Sequence, residues 1–297
     1  MPPASLRVVP AVDSPVARSA PKPTHAMVLA AGRGERMRPI SDNLPKPMIE
    51  ICGRPMIDRV MDRLTEFGIE TIVVNLHHLA DKLQAHVERW ARTPHPDGLA
   101  KPRVAFSREK ELLDTGGGIK QALPLLGDAP FFTCNSDLLW LNGVSPVLDL
   151  LAQAWNGDEM DALLLQHPCI SAVGYNGLGD FHMDSVGLLQ RRSEREVAPY
   201  VYAGVQLIKP ALFDAAPEGA FSSGSTASTM KAAGTMWVPP RPSRRSRRCL
   251  PTRSGYRKRS ARWSVNPAAR AAATLKPVAK TFASSSSGGC RLECDRF

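Results

Sequence analysis

The stretch "AMVLAAGRGERMRPISDNLPKPM", residues 26–48, joins a short apolar run to a glycine turn and then to several basic residues. The run "AMVLAA" has the length and composition of a strand buried on both faces of a parallel sheet. Gly32 and Gly34 follow it, and glycine lets backbone N–H groups approach a phosphate because it lacks a Cβ and adopts positive φ. Arg36 and Lys46 come next, and a proline on either side of Lys46 stiffens its backbone. The stretch therefore predicts an anion site at the end of the first strand.

The spacing of the glycines matches neither of two common phosphate-binding patterns. In Gly-x-Gly-x-x-Gly the third glycine would fall on Met37, and the Gly-Lys-Ser/Thr of a Walker loop is absent from the sequence. A surface turn with solvated charges would explain any one of these residues. Their combination directly after a buried strand favours an anion site.

Strands alternate with amphipathic helices on the C-terminal side of this stretch. Expected strands are 70–76, 103–107, 130–137 and 161–167, and expected helices are 54–68, 79–90, 118–126 (short, broken by Pro124) and 144–155. This alternation predicts an α/β fold with a mostly parallel sheet and helices on both faces. Ligands then gather at the carboxyl ends of the strands. After His167 short strands and turns predict a small antiparallel subdomain or lid.

The positive charge of the chain is concentrated at its C-terminal end. The chain carries a net +10, of which residues 239–297 contribute +13 and residues 1–238 contribute −3. No Asp or Glu occurs between Glu218 and Glu293, and the segment is rich in Arg, Ser, Ala and Pro. It cannot bury a core. Three interpretations remain open: a disordered basic tail, a reading frame lost after about Phe221, and a nucleic-acid-binding tail.

We therefore predict three regions: an N-terminal extension, 1–24, a main domain, 25–238, and a basic tail, 239–297. The six cysteines form no paired framework and no zinc-binding spacing, which suits a reducing compartment. Cys134 is expected to pack in the core. No apolar leader or 18-residue apolar run is present, so a cytoplasmic protein without membrane contact is expected. The tail lacks regularly interleaved aromatic residues, so no specific nucleic-acid partner is expected. The oligomeric state is not predicted.

The stretch "LAAGRGERMRPISDNLPKPM" resembles the signature of the sugar-1-phosphate nucleotidyltransferases. The resemblance continues in "GRPMIDRVMDRL", "GIETIVVNLHHLADKL", "LLDTGGGIKQAL" and "FFTCNSDLLW", and it covers residues 26–214. Within that family the chain is most similar to the bacterial N-acetylmuramate-1-phosphate uridylyltransferases of cell-wall recycling, and next to the mannose- and glucose-1-phosphate enzymes. The resemblance implies a GT-A-like, three-layer α/β/α fold whose antiparallel subdomain binds the sugar.

The resemblance also implies roles for individual residues. Arg36 would clamp the β- and γ-phosphates of UTP, Lys46 would contact the α-phosphate and the sugar phosphate, and Asp137 would bind Mg²⁺. Asp180 and Gly204 would line the sugar pocket, whereas His77 and His78 are read as ordinary polar residues at a strand end. The nucleotide-binding set comprises Leu29, Ala30, Ala31, Gly32, Arg33, Gly34, Thr115, Gly116, Gly117 and Gly118. The last four lie in the loop before a helix, at 114–118, that would hold the base or else be a flexible turn.

The chain departs from the family near its end. Relatives supply a second metal-binding aspartate from a Trp/Phe-x-Asp/His-x-Gly-Thr stretch, and no counterpart follows Asp214. If the frame is lost, the last strand, the closing helices and that carboxylate are lost with it. The resemblance implies uridylyl transfer from UTP to a sugar 1-phosphate, with N-acetylmuramate 1-phosphate as the expected acceptor and a UDP-sugar and pyrophosphate as products. The alternatives are a mannose- or glucose-1-phosphate nucleotidyltransferase and a non-catalytic nucleotide-binding protein.

Overall fold

The structure, a computed structural model, describes residues 22–143, 145–172 and 175–222, together with the backbone of 232–236. The chain separates into two units, Met1–Pro239 and Pro240–Phe297, and all the described residues belong to the first. The predicted tail, 239–297, and the predicted extension up to residue 21 lie outside the described residues.

The helices and strands alternate along the chain as the sequence predicts through residue 168. The strands are β1 His25–Leu29, β2 Glu50–Ile51, β3 Arg54–Pro55, β4 Thr71–Leu76, β5 Arg103–Arg108, β6 Phe131–Asn135, β7 Ala162–Pro168, β8 Phe181–Met183, β9 Leu189–Arg191, β10 Tyr200–Ile208 and β11 Ala232–Met236. The helices are α1 Ile40–Asn43, α2 Met56–Phe67, α3 Ala80–Arg92, α4 Asp114–Leu126 and α5 Val147–Ala154. Short 3₁₀ turns occupy Glu35–Met37, Lys46–Met48, Cys169–Ser171 and Pro210–Phe213.

One mixed sheet forms the centre of the molecule, in the order β11-β7-β10-β6-β1-β4-β5. Strand β1 is parallel to both β4 and β6, and β5 is parallel to β4. Strand β10 is antiparallel to β6 and β7, and β11 is parallel to β7. The carboxyl ends of β1, β4, β5 and β6 therefore lie along one edge of the sheet.

Helices cover both faces of the sheet, as predicted. One apolar core joins the sheet to α2, α3 and α5 through side chains such as Ile57, Val87 and Leu151. The core on the other face contains Ile119 and Leu126 of α4. Because each helix buries one apolar stripe and the sheet lies between them, the fold is a three-layer α/β/α arrangement.

Three details differ from the sequence prediction. The glycines after Asp114 lie inside the first turns of α4 and not in a loop before it. Pro124 does not break α4, which continues through it to Leu126. The stretch 200–208 is a long strand of the main sheet, while β8 and β9 form the small antiparallel ladder beside it. Strand β11 pairs in parallel with β7 from Ala162 to Gln166, so residues 232–236 contribute a strand to the main sheet.

Candidate nucleotide-binding site

The glycine turn after β1 is packed directly against Lys46. Gly34 has φ of +65°, and a Cβ added there would lie 3.0 Å from the Lys46 Cβ and 3.2 Å from the Ser41 Cβ. A Cβ added at Gly32 would have no heavy atom within 4 Å, so this part of the turn faces open space. Glycine at position 34 therefore allows the turn to pack closely against the Lys46 side chain. The space beside Gly32 is open to another molecule.

Hydrogen bonds fix both ends of the turn. The Ser41 hydroxyl donates to the Gly34 carbonyl at 2.9 Å. His78 donates from its Nε2 to the Ser41 carbonyl at 2.8 Å and from its backbone N–H to the Ala31 carbonyl at 3.4 Å. His78 is therefore more than a polar residue at a strand end, because it ties the end of β4 to both sides of the turn. The neighbouring His77 lies with its Nδ1 3.2 Å from the Glu109 carbonyl.

Lys46 and Asp137 form an ion pair at this edge of the sheet. The Lys46 amine donates to Asp137 Oδ2. Lys46 begins the 3₁₀ turn between Pro45 and Pro47, and Asp137 lies two residues after β6, which is the neighbour of β1. The side chains are 27% and 33% exposed, so a ligand can reach both. The structure therefore brings together two of the three residues predicted to be catalytic.

The third predicted catalytic residue, Arg36, lies on the exposed 3₁₀ turn Glu35–Met37. Within the described residues its guanidinium has no hydrogen bond or ion pair. Arg38, by contrast, pairs with Asp42 at 3.3 Å. Arg36 can therefore take an anion without giving up a partner among the described residues, and Arg33 is exposed beside it.

The predicted base-binding glycines are in contact with a distant part of the chain. The N–H groups of Gly116 and Gly117 donate to the Phe221 carbonyl at 2.9 and 3.2 Å, and the Phe221 N–H donates to the Leu113 carbonyl at 3.2 Å. A Cβ at Gly117 would lie 2.2 Å from the Gly219 carbonyl oxygen. The Thr115 N–H donates to Asp114 Oδ1 at 2.7 Å. The amides of residues 115–117 are thus already hydrogen-bonded within the protein, and the glycines permit this close approach.

The predicted sugar-binding residues shape the junction of β10 with its neighbours. Asp180 accepts the Tyr202 N–H at 2.9 Å and so ties the β8–β9 ladder to β10. Gly204 has φ of +72° in an irregular part of β10, and a Cβ there would lie 2.8 Å from Asn135 Nδ2 and 2.6 Å from Leu138 Cδ1. Gly204 therefore lets β10 approach the end of β6, where Asp137 follows. Burial raises the pKa of Tyr202 and keeps its hydroxyl neutral.

A chain of buried polar groups connects β1, β4 and the loop after β5. Asn75 Oδ1 accepts the Ala30 N–H at 2.7 Å, and Asn75 Nδ2 donates to Glu109 Oε1 at 2.7 Å. Glu109 Oε2 accepts the Leu113 N–H at 3.1 Å. Asn75 and Glu109 are each 3% exposed. Neither residue was predicted from the sequence, although Asn75 is a polar residue near the carboxyl end of the apolar strand β4.

Comparison with known proteins agrees with this geometry. Residues 25–166 match the nucleotidyl transferase family. The N-acetylmuramate alpha-1-phosphate uridylyltransferase of Caulobacter vibrioides is 41% identical over 201 residues, which make up 67% of this chain and 81% of that protein. This chain belongs to the sugar-1-phosphate nucleotidyltransferases.

Further relatives and solved structures are also similar to this chain. The N-acetylmuramate alpha-1-phosphate uridylyltransferase of Neisseria meningitidis is 33% identical over 204 residues, covering 65% of this chain and 79% of that protein. A mannose-1-phosphate guanyltransferase of Aspergillus fumigatus is 35% identical over 116 residues, 38% of this chain and 30% of that protein. A UDP-glucose pyrophosphorylase from Acinetobacter baumannii has a TM-score of 0.57 at 17% identity, covering 73% of this chain and 87% of that chain. HddC from Yersinia pseudotuberculosis, complexed with GMP-PN, has a TM-score of 0.55 at 21% identity, covering 72% and 90%. These two structures show the shared GT-A-like fold.

The Asp137 carboxylate is the oxygen donor that the sequence predicts for Mg²⁺. The described residues contain no group of three or more His, Cys, Asp or Glu side chains that could hold a metal. Mg²⁺ usually keeps several waters and binds one or two carboxylates together with substrate phosphates. The partly exposed Asp137 carboxylate fits that mode of binding.

Among the described helices, none is both long and apolar enough to cross a membrane.

Proposed function

We propose that this protein transfers the uridylyl group of UTP to N-acetylmuramate 1-phosphate in the cytoplasm, as a step of cell-wall recycling. An oxygen of the sugar phosphate attacks the α-phosphorus of UTP. The bond from that phosphorus to the β-phosphate oxygen breaks, and pyrophosphate leaves with the electron pair. The products are UDP-N-acetylmuramate and pyrophosphate.

The substrate assignment depends on the extent of the similarity to the two uridylyltransferases. Both match about two thirds of this chain and about four fifths of their own length. The guanyltransferase of Aspergillus fumigatus matches over 116 residues only. The matches of 201 and 204 residues are also longer than the 142 residues, 25–166, that the family model covers.

Electrostatic stabilisation is the chemistry that these residues can supply. Both substrates are anions, and negative charge develops on the departing pyrophosphate, so positioned cations lower the barrier more than a nucleophilic side chain would. Arg36 binds the β- and γ-phosphates, and the amides of Gly32, Arg33 and Gly34 surround the triphosphate. The Lys46 amine moves from the Asp137 carboxylate to the α-phosphate and the sugar phosphate.

Asp137 is the residue that would hold Mg²⁺ against the α-phosphate. When bound there, the ion would withdraw charge from the phosphoryl oxygens. The contact between Lys46 and Asp137 supports this role, because it places a cation and a carboxylate at the same point below the glycine turn. The ion pair also neutralises Asp137 until the substrates bind.

Two observations favour a non-catalytic nucleotide-binding protein as the second candidate. The sequence has no counterpart of the second metal-binding aspartate of relatives after Asp214, and Glu218 is the single acidic residue between Asp214 and Glu293. The amides of Gly116 and Gly117 are engaged by Phe221. A protein with both features could bind nucleotide without turning it over.

Pyrophosphate release separates these candidates. The protein is mixed with Mg²⁺, one nucleoside triphosphate (UTP or GTP) and one sugar phosphate (N-acetylmuramate, mannose or glucose 1-phosphate). We expect release with UTP and N-acetylmuramate 1-phosphate, and its loss on removal of Mg²⁺ by a chelator. Release with GTP and mannose 1-phosphate alone would contradict the assignment. UTP binding without release from any pair would identify the non-catalytic protein.

A further inference from the structure

We propose that Asn75 and Glu109 are positioning residues for the nucleotide. They hold the main chain before the glycine turn at a fixed place relative to the main chain before α4. This inference rests on the proposed function. Two buried side chains would then set the distance between the two main-chain segments on either side of the nucleotide.

The two ends of the network are the points where the two glycine segments begin. Ala30, at one end, lies two residues before Gly32, and Leu113, at the other, lies directly before Asp114. These segments are more than 80 residues apart in sequence, and β4 and β5 lie between them along the chain. A movement of either side chain would therefore move the amides on both sides of the predicted nucleotide site.

The direction of each hydrogen bond explains the residue types. The Ala30 N–H and the Leu113 N–H are both donors, so the network must begin and end with an acceptor. Asn75 accepts at one atom and donates at the other, and Glu109 then accepts from both sides, as an ionised carboxylate can. A glutamine at 109 would turn an N–H toward another donor.

Gly118 belongs to the same arrangement. A Cβ at this position would lie 2.7 Å from Glu109 Oε1 and 3.0 Å from Asn75 Nδ2. Glycine at 118 therefore lets α4 approach the network, a structural reason for the third glycine that does not involve contact with the base. Ala30, Asn75, Glu109 and Gly118 are all buried, and they form a continuous path from the end of β1 to α4.

Reversing the polarity of the central hydrogen bond tests this role. Asn75→Asp places two carboxylates face to face, and Glu109→Gln places two donors face to face. The combination of both substitutions restores every bond: the carboxylate at 75 accepts from Ala30 and from the amide at 109, whose oxygen accepts from Leu113. Charge and size are conserved in the double variant. Asp62→Asn is the matched control, since Asp62 is a buried carboxylate that accepts from Trp90 and Arg54.

The measurement is the affinity for UTP in the presence of Mg²⁺, by titration calorimetry at a temperature where all variants are folded. We expect each single variant to bind UTP roughly tenfold more weakly. The double variant should return to within about twofold of the unsubstituted protein. Thermal unfolding is recorded for each protein, and we expect Asp62→Asn to lower the unfolding temperature without changing UTP affinity.

The outcomes separate this inference from the proposed function. Normal UTP affinity in both single variants would overturn the positioning role alone. A double variant that binds no better than the single variants would do the same. If the single variants unfold, recovery of both folding and UTP affinity in the double variant still supports the role. Absence of UTP binding to the unsubstituted protein would contradict the proposed function and this inference with it.

Discussion

Substitution of Lys46 by methionine tests the electrostatic role of the Lys46–Asp137 pair. Two unit charges 4 Å apart interact by about 4 kcal/mol at an effective dielectric constant of about 20. Because the Lys46 side chain is 27% exposed, solvent screening reduces the contribution to a phosphoryl group to about 2–3 kcal/mol. We therefore expect Lys46→Met to lower kcat/KM for pyrophosphate release roughly 30- to 150-fold.

The chain offers a closely matched control for this substitution. Lys209 pairs with Asp161 at 3.1 Å, and the two side chains are 28% and 35% exposed, nearly as in the Lys46–Asp137 pair. Partly exposed ion pairs contribute about 0.2–1 kcal/mol to stability, so both variants should unfold within about 1 kcal/mol of the unsubstituted protein. Lys209→Met should keep full activity. Equal losses of activity in the two variants, or a change below threefold in Lys46→Met, would refute the role of Lys46.

Two further substitutions and one labelling experiment each test a single feature of the structure. Gly34→Ala should lower stability by about 1–2 kcal/mol in thermal unfolding and weaken UTP binding, because φ is +65° and the added Cβ meets Lys46; unchanged UTP affinity would contradict this. Gly117→Ala should detach residues 219–221 from α4, because its Cβ would lie 2.2 Å from the Gly219 carbonyl. Limited proteolysis should then cut residues 219–221 faster than in the unsubstituted protein. An unchanged cleavage pattern would contradict the role of Gly117 in this contact. Burial raises the pKa of Cys134 to about 12, so its thiol stays protonated at pH 8. Mass spectrometry after treatment with a thiol reagent should find the exposed Cys52 modified and Cys134 unmodified in the folded protein; rapid labelling of Cys134 would contradict its burial.

The sequence was sufficient to predict the parallel strands β1, β4, β5 and β6 and the meeting of Lys46 with Asp137. Apolar runs and helical spacing are local signals, and they located β1, β4, β5, β6 and β7. In a parallel sheet the residues that follow each strand lie at one edge, so a lysine after β1 and an aspartate after β6 could be expected together. The pairing of β1 with β6 realises that expectation.

Contacts between distant parts of the chain could not be predicted in the same way. Glycine has low helix propensity, so three successive glycines after Thr115 favoured a loop. In the structure they begin α4, because Phe221 and Gly219 pack against them where larger side chains would collide. Glu109 likewise has no local signal, since the Leu113 N–H and Asn75 become its partners only after β4 and β5 pair.

Lysine labelling with and without UTP tests most directly whether the triphosphate binds over the Lys46–Asp137 pair. The folded protein is treated with acetic anhydride, with and without Mg²⁺ and UTP, and modification at each lysine is measured by mass spectrometry. Lys209, which has almost the same exposure and the same type of partner, serves as the control in the same sample. UTP should protect Lys46 several-fold and leave Lys209 unchanged. Equal modification of Lys46 with and without saturating UTP would contradict the proposed site.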